Sequence, residues 1–200
     1  MKVPWMLIVV LATVSACGVT PARSDHARPP RAPAATSVTV YEPWEASGLA
    51  SGVVAIKHVR GYCWIGAFRS GRQDAWRCLA GNGIEDPCFA NPYQAPVSTG
   101  ACPTRTPTRV LVLSLTQPLP LRSANSGRSV GPWLYQLGDG AQCEAITGTT
   151  VSIAGMTAWA ACSNGATLVG AIHHAREWWV LAQSGHSAFL GRAEIRRVWK

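Results

Sequence analysis

Two glutamates, Glu85 and Glu177, are the residues of this sequence that best suit paired acid–base chemistry. Glycoside hydrolysis uses two carboxyl groups, one that protonates the leaving oxygen and one that acts as base or nucleophile. Three other acidic residues have structural explanations. Asp139 lies in a Gly-Asp-Gly turn, Asp74 has arginines two residues before it and three after it, and Asp86 precedes a proline. A wall-polysaccharide hydrolase that uses this acid pair is therefore one of two functions we consider.

Histidine supplies the best metal-ligand candidates, His173, His174 and His186. Adjacent side chains of a strand point to opposite faces, so His173 and His174 could not easily share one ion, and no fourth ligand is evident. The sequence also has no nucleophile elbow, zinc-protease motif, phosphate-binding loop or dinucleotide-binding glycine pattern. We therefore predict no metal, no cofactor and, more weakly, no enzymatic activity.

Tryptophan is unusually abundant, with nine residues in a chain of 200. If the segment around Trp178 and Trp179 is a strand, one indole points inward and the other outward. An exposed indole beside Arg176 would suit stacking on a sugar or on an apolar patch of a partner. The alternative is that the tryptophans belong to the core, and we expect Trp64 and Trp76 to pack near a disulfide.

The N-terminus has the pattern of an export signal. Residues 3–14 are apolar, and Val14-Ser15-Ala16-Cys17 resembles a bacterial lipobox, in which the cysteine is acylated and becomes the new N-terminus. We predict a signal peptide at residues 1–16, removed on export, with lipid attachment at Cys17. The alternative is an ordinary signal peptide cut after Ala16. The apolar stretch is too short for a transmembrane helix, which needs ~20 residues.

Residues 17–37 contain four prolines and no apolar periodicity, which predicts an extended tether carrying the lipid. Residues 38–200 are then a single domain outside the cytoplasmic membrane. The whole chain has a net charge of +8, and residues 38–200 retain +5, because four basic residues and one acidic residue precede them. This moderate excess favours anionic neighbours such as phospholipid head groups or wall polymers. The alternative is an ordinary solvated surface. Nucleic acid is an improbable partner, because the chain is exported and has no basic stripe.

Beyond residue 37, short apolar runs alternate with Gly, Asn, Asp and Pro, which predicts an antiparallel all-β domain forming a small barrel or sandwich. Glycine turns, such as the one at Asn164-Gly165, separate several of these runs. The C-terminal Ile195, Val198 and Trp199 fit either a helix or a bulged edge strand. The predicted strands cover residues 38–41, 53–59, 62–68, 75–80, 110–115, 133–137, 149–153, 157–162, 167–172, 178–182 and 187–190.

Apart from Cys17, six cysteines remain, and an oxidising compartment allows three disulfides. A hairpin turning at Ser70-Gly71 would place Cys63 opposite Cys78. The next two cysteines flank a segment with two prolines, and we expect them to staple an irregular loop. The last pair follows by elimination. The predicted pairs are Cys63–Cys78, Cys88–Cys102 and Cys143–Cys162.

A short internal similarity relates two parts of the chain. Ala75-Trp76-Arg77-Cys78 is followed by a Gly-Asn-Gly turn, and Ala158-Trp159-Ala160-Ala161-Cys162 is followed by Asn-Gly. Each part would be a cysteine-closed hairpin with a tryptophan on its second strand. The domain could therefore consist of two related halves, although a similarity this short could also arise by chance.

Several motifs resemble a group of uncharacterised secreted or lipid-anchored bacterial proteins, common in actinobacteria. The motifs are Cys63-Trp64, then Arg72-Gln73-Asp74-Ala75-Trp76-Arg77-Cys78, Asp86-Pro87-Cys88-Phe89 and Cys102-Pro103. The resemblance extends over residues 61–199 and implies an exported location, with no assigned activity. The principal functional prediction is a lipid-anchored binding or assembly module of the cell envelope. Its expected partners are the membrane, through the anchor, and an anionic wall polymer, a glycan or another envelope protein.

Overall fold

The protein is described by a computed structural model over residues 34–120, 131–146, 151–185, 187 and 189–200. The predicted signal peptide, the lipid-attachment residue Cys17 and most of the tether lie outside these ranges, as does His186. Within them the chain is all-β, with strands and turns but no helix, which confirms the predicted fold class. Three short strands come first: β1 Ser37–Thr39, β2 Trp44–Glu45 and β3 Gly48–Leu49.

The next five strands close into a barrel, here called the five-stranded barrel. It is an antiparallel meander whose first and last strands pair in parallel, from Val54↔Arg109 to Gly61↔Leu115. An up-and-down meander of five strands brings its first and last strands together in the same direction, so the closing pair must be parallel. The strands are β4 Val54–Gly66, β5 Ala75–Ala80, β6 Gly83–Ala90, β7 Val97–Pro103 and β8 Arg109–Leu119.

The remaining strands form a second closed barrel, the six-stranded barrel, and here the closing pair β9–β15 is antiparallel because the meander has an even number of strands. The internal similarity between the two halves therefore does not extend to strand number or closure. A further strand, β11 Val151–Ile153, pairs only with β12. The barrel strands are β9 Leu134–Leu137, β10 Gln142–Ala145, β12 Met156–Cys162, β13 Ala166–His173, β14 Trp178–Ser184 and β15 Leu190–Trp199.

The six cysteines pair in sequential order, as predicted. Each disulfide joins neighbouring strands of one barrel. Closing loops of 14 to 19 residues contributes about 3 kcal/mol each on the chain-entropy view. Cys88 and Cys102 lie on β6 and β7 in the core of the five-stranded barrel, and their disulfide closes the proline-containing connection between these two strands, as expected.

Gly61 lies between two predicted strands, residues 53–59 and 62–68, which form one continuous strand in the structure. The sequence suggested a break at this glycine, yet β4 runs through it without interruption. A Cβ at this position would lie 1.8 Å from the carbonyl oxygen of Leu79 and 2.9 Å from Leu113 Cδ1. The glycine is therefore required by the close approach of two barrel strands, and not by a turn.

Strand β6 was missed because Pro87 lies within it and follows two acidic residues. The β5–β6 pairing shifts by one residue between Trp76↔Cys88 and Cys78↔Glu85, so β6 carries a bulge at this point. Bulges are among the few places where a sheet accepts proline, because the ladder is already interrupted there. Strand β7 was missed for a related reason, since two prolines precede it in the sequence.

The C-terminal segment is neither a helix nor an edge strand. Strand β15 pairs with β14 on one side and with β9 on the other, and it carries a bulge between Ile195 and Arg197. The expected tether also ends earlier than predicted, because β1 begins at Ser37 and pairs with β15. Thr36 donates a hydrogen bond from its Oγ1 to the carbonyl of Ile195 at 2.6 Å and accepts one from the amide of Trp178 at 2.7 Å.

An aromatic cluster joins the two barrels. The ring of Tyr41 lies 5.1 Å from that of Phe89 and 5.2 Å from that of Trp133, both in edge-on geometry. The guanidinium of Arg72 lies 4.8 Å from the Phe89 ring and donates to the backbone carbonyls of Tyr41 and Lys200. Because these contacts cross from one barrel to the other, they determine which surfaces meet at the junction.

Candidate functional site

An exposed patch of large apolar side chains covers the outer side of strands β4, β5 and β6. Tyr62 and Ile84 flank Leu79 from the two neighbouring strands, and the rings of Tyr62 and Trp64 lie 6.0 Å apart. Contiguous apolar patches on a protein surface commonly mark interaction sites. We call this patch the aromatic face. Its members are each between 42% and 56% exposed, and they are Tyr62, Trp64, Ile65, Phe68 and Ile84.

Arg77 lies at the centre of the aromatic face, between two β-bulges. One bulge is at Trp64 in β4, and the other is in β6 on the opposite side of Arg77. Because a bulge sets two residues against one, both Trp64 and Ile65 lie exposed beside Arg77. The Arg77 guanidinium lies 4.9 Å from the Phe68 ring and 6.0 Å from the Trp64 ring, within cation–π range.

A buried carboxylate, Asp86, holds this arrangement in place. Its side chain is only 3% exposed and lies 3.5 Å from Arg77 Nη1. The backbone amides of Phe68 and Arg69 donate to its two oxygens at 3.1 and 3.2 Å. Burial raises the pKa of Asp86, while these amides, Arg69 and Arg77 act in the opposite direction. One side chain therefore fixes both the central arginine and the loop that carries Phe68.

Next to the aromatic face is a cavity of about 280 Å³ at the junction of the barrels, which we call the junction cavity. It adjoins a second cavity of about 250 Å³, and the two share Arg69, Arg105 and Glu144. Arg77 and Ile84 belong to both the junction cavity and the aromatic face. The polar lining consists of Arg69, Arg77, Arg105, Glu85, Asp86, Glu144, Thr104 and Trp133.

Glu85, which lines this cavity, has a raised pKa. Burial raises its pKa, the nearby carboxylate of Glu144 raises it further, and Arg69 opposes both effects. Arg69 itself is engaged with Glu144, its Nη1 lying 3.3 Å from Glu144 Oε2. The arrangement places a carboxyl group with a raised pKa beside a second carboxyl group that is paired with an arginine. Raised pKa values of this kind are common in functional sites.

The structure does not bring the predicted acid pair together. Glu85 lines the junction cavity, whereas Glu177 precedes β14 and forms an ion pair with Arg196 at 3.1 Å. No cavity found among the described residues contains both. The carboxyl group that does lie near Glu85 is that of Glu144, which the sequence did not distinguish from the other acidic residues.

The predicted surface of Arg176, Trp178 and Trp179 is half covered by the protein's own side chains. The Trp179 ring is stacked at 3.7 Å on His173, and the guanidinium of Arg192 lies 5.0 Å from it. Trp178 packs against the core of the six-stranded barrel. The side chain of Arg176 is exposed. Because Trp179 already has partners on its ring, it is a weaker stacking surface than Trp64.

Histidine does not form a metal site in the part of the chain that is described. His173 stacks on Trp179 as noted, and His174 contacts the ring of Trp178 at 4.1 Å between centroids. No group of three His, Cys, Asp or Glu side chains in these ranges is arranged to hold a metal ion. Nor does any helix there have the length and apolar character needed to cross a membrane.

A larger cavity, of about 430 Å³, opens at one end of the six-stranded barrel, where Ala166, Ala182 and Gly191 contribute to its lining. Its acidic groups already have partners. Asp139 accepts hydrogen bonds from the Ala141 amide at 2.9 Å and from Asn164 Nδ2 at 2.8 Å, and Glu194 pairs with Arg196. We therefore regard the aromatic face and the junction cavity as the candidate functional site.

Comparison with known protein families, with curated proteins and with solved structures found no match to this chain. The resemblance to secreted actinobacterial proteins stays a prediction. The residues that carry it do, however, include Trp64, Arg77 and Asp86, which form the centre of the site. That these three residues belong to the motifs of the resemblance was the only signal for this site in the sequence. The bulges that place them cannot be recognised from the sequence of a single strand.

Trp64 is the principal residue that sequence reasoning misplaced. We expected it to pack near a disulfide, but among the eight tryptophans in the described ranges it is the only exposed one. Trp76, assigned the same role, is buried in the core of the five-stranded barrel. Trp64 follows the regular alternation of β4, in which Tyr62 and Trp64 point outward and Cys63 points inward, and the bulge exposes Ile65 in addition.

Proposed function

We propose that this protein is a lipid-anchored binding module of the bacterial cell envelope, located outside the cytoplasmic membrane. The apolar N-terminal stretch and the small residues before Cys17 support export and acylation. Three disulfides in a domain of this size favour an oxidising compartment. Its partners are the membrane, through the anchor, and an anionic wall polymer, a glycan or another envelope protein.

The observation that carries the binding role is the aromatic face. Its rings surround an arginine whose position is fixed by the buried Asp86, so little side-chain freedom is lost when a ligand lies on it. Aromatic rings with a polar edge suit the apolar faces of sugars as well as protein surfaces. Lys57 and Arg60 are exposed on the same long strand, and their positive charge favours an anionic ligand.

Binding to purified bacterial cell wall tests this proposal. We expect Trp64→Ala to lower the affinity of the mature protein by about tenfold, which corresponds to roughly 1.4 kcal/mol. Phe68→Ala should also lower the affinity for the wall. Phe189→Ala is the matched control, because Phe189 is 84% exposed but lies between β14 and β15, away from the aromatic face. Unchanged binding by both Trp64→Ala and Phe68→Ala would contradict the proposal.

The alternative function, a wall-polysaccharide hydrolase, is supported by Glu85. A carboxyl group with a raised pKa suits a general acid, and the neighbouring Glu144 would serve as the second carboxylate in place of Glu177. This activity would release soluble fragments from purified wall, and Glu85→Gln would abolish the release. If the protein binds the wall but releases no fragments, the hydrolase is wrong and the binding module is the function.

A further inference from the structure

Two residues that line the junction cavity have hydrogen-bond donors without an acceptor in the described part of the chain. The indole N–H of Trp133 and the Nε–H of Arg69 are buried, and neither has a partner among the described residues. Trp133 is only 2% exposed, so water reaches its N–H poorly. Buried polar groups in proteins are nearly always paired, and an exception calls for an explanation. A ligand that supplies acceptors at this place would be such an explanation.

The charges that line the cavity also leave a cation available. Arg69 pairs with Glu144 and Arg77 pairs with Asp86. Arg105 has no ion pair within the described ranges, although it lines both adjoining cavities. A guanidinium presents several donors in a planar fork that matches a carboxylate. The cavity thus combines a free guanidinium with two unpaired N–H groups.

We propose that the junction cavity binds a carboxylate group of the ligand, held by Arg105 together with the N–H groups of Arg69 and Trp133. This inference rests on the proposed binding function and deepens it by naming the ligand's chemistry. A cavity of about 280 Å³ accommodates one small acidic unit rather than an extended chain. A polymer lying on the aromatic face could place an acidic substituent here, because Arg77 and Ile84 border both regions.

Glu85 makes this binding dependent on pH. A bound carboxylate repels the ionised form of Glu85, so the complex favours the protonated form, which can itself donate a hydrogen bond to the ligand. Affinity therefore increases as the pH falls through the raised pKa of Glu85. The charged groups that share the cavity with Glu85, and that act on it together with the ligand, are Glu144, Asp86, Arg69, Arg77 and Arg105.

Calorimetric titration of the mature protein with two matched pairs of small molecules tests the inference. N-acetylmuramic acid and N-acetylglucosamine differ by a carboxylate-bearing substituent, and alanyl-alanine differs from its C-terminal amide by the carboxylate alone. We expect the acid of at least one pair to bind at least tenfold more tightly than its neutral counterpart. The pair that discriminates identifies the source of the carboxylate, either a sugar acid or the end of a peptide.

Variants connect this binding to the cavity. Arg105→Gln should weaken binding of the acid at least tenfold, whereas Arg109→Gln, another exposed arginine that does not line the cavity, should have no effect. Glu85→Gln should retain binding but remove its pH dependence. Equal binding of acid and amide, no binding of either acid, or an unchanged affinity in Arg105→Gln would overturn the inference.

The wall-binding assay separates this inference from the proposed function. If wall binding depends on Trp64 but neither small acid binds, the carboxylate site is wrong and the binding module stands. If a small acid binds through Arg105 but the wall does not bind, the carboxylate site stands and the proposed wall ligand is wrong.

Discussion

Asp86 provides the most direct test of how the aromatic face is held in place. Its carboxylate accepts two backbone amides, from Phe68 and Arg69, and lies 3.5 Å from Arg77. Asp86→Ala removes all three interactions and leaves the Arg77 guanidinium without a counter-ion. Asp86→Asn preserves the shape and keeps one acceptor oxygen, but it removes the negative charge.

The size of the effect follows from these contacts. Each buried amide left without an acceptor costs about 1–3 kcal/mol, and both amides here are only partly buried, which favours the lower end. Removing one partner of a buried ion pair costs about 3–5 kcal/mol. Two features lower this cost here: Arg77 keeps its aromatic contacts, and the raised pKa of Asp86 shows that burial of its charge is itself unfavourable. We therefore expect a loss of about 3 kcal/mol for Asp86→Ala and about 1 kcal/mol for Asp86→Asn.

Urea unfolding of the oxidised protein, followed by tryptophan fluorescence, measures both losses. Because Asp86 holds the loop that carries Phe68, Asp86→Ala should also weaken wall binding in the folded protein, and Asp86→Asn should weaken it less. Equal stability of Asp86→Ala and the unmodified protein would refute the assigned role of this carboxylate. A loss in Asp86→Asn as large as that in Asp86→Ala would show that charge, and not the acceptance of amide hydrogens, dominates.

Three further substitutions test other parts of the structure. Gly61→Ala should destabilise the protein by about 3 kcal/mol in urea unfolding, because the new Cβ would clash with the Leu79 carbonyl. Gly191→Ala is the control, because that glycine has open space around it and the free energy of unfolding should change by no more than about 0.5 kcal/mol. Glu85→Gln should reduce the loss of stability that occurs as the pH rises from the ordinary carboxyl pKa through the raised one, because the folded state binds this proton more tightly. The raised pKa of Asp86 leaves part of this loss in the variant, and an unchanged profile of urea midpoint against pH would contradict the shift assigned to Glu85. Cys17→Ser should abolish metabolic labelling with fatty acid, and continued labelling would exclude the anchor.

Local patterns in the sequence were sufficient for the fold class and for the disulfides. Alternating apolar residues and glycine turns depend on interactions between near neighbours, so strand β5 was predicted with the bounds it has in the structure. The cysteine pairs are also local, since each joins two strands that lie close in the chain. The reasoning for Cys63 and Cys78 was nevertheless incomplete. The bulge at Trp64 shifts the pairing by one residue, and the connection between β4 and β5 is longer than a tight turn.

The site could not be predicted in the same way, because its residues meet only when several strands are in place. Whether Ile65 faces the core or solvent depends on a bulge, and a bulge is a property of two paired strands. Glu85 and Glu144 come from different barrels, so no spacing along the chain relates them, and the pairing of Glu85 with Glu177 had no geometric basis.

Short-range physical constraints therefore account for what could be read from the order of the residues: an export pattern, an all-β chain, three disulfides and an abundance of tryptophan. The tertiary structure decided which of those tryptophans are available to a ligand and which acids share a cavity. It did so because barrel closure and the contact between Tyr41, Phe89 and Trp133 bring distant segments together. Charge, burial and the pKa of Glu85 are properties of that assembled junction, and no single segment of the chain contains them.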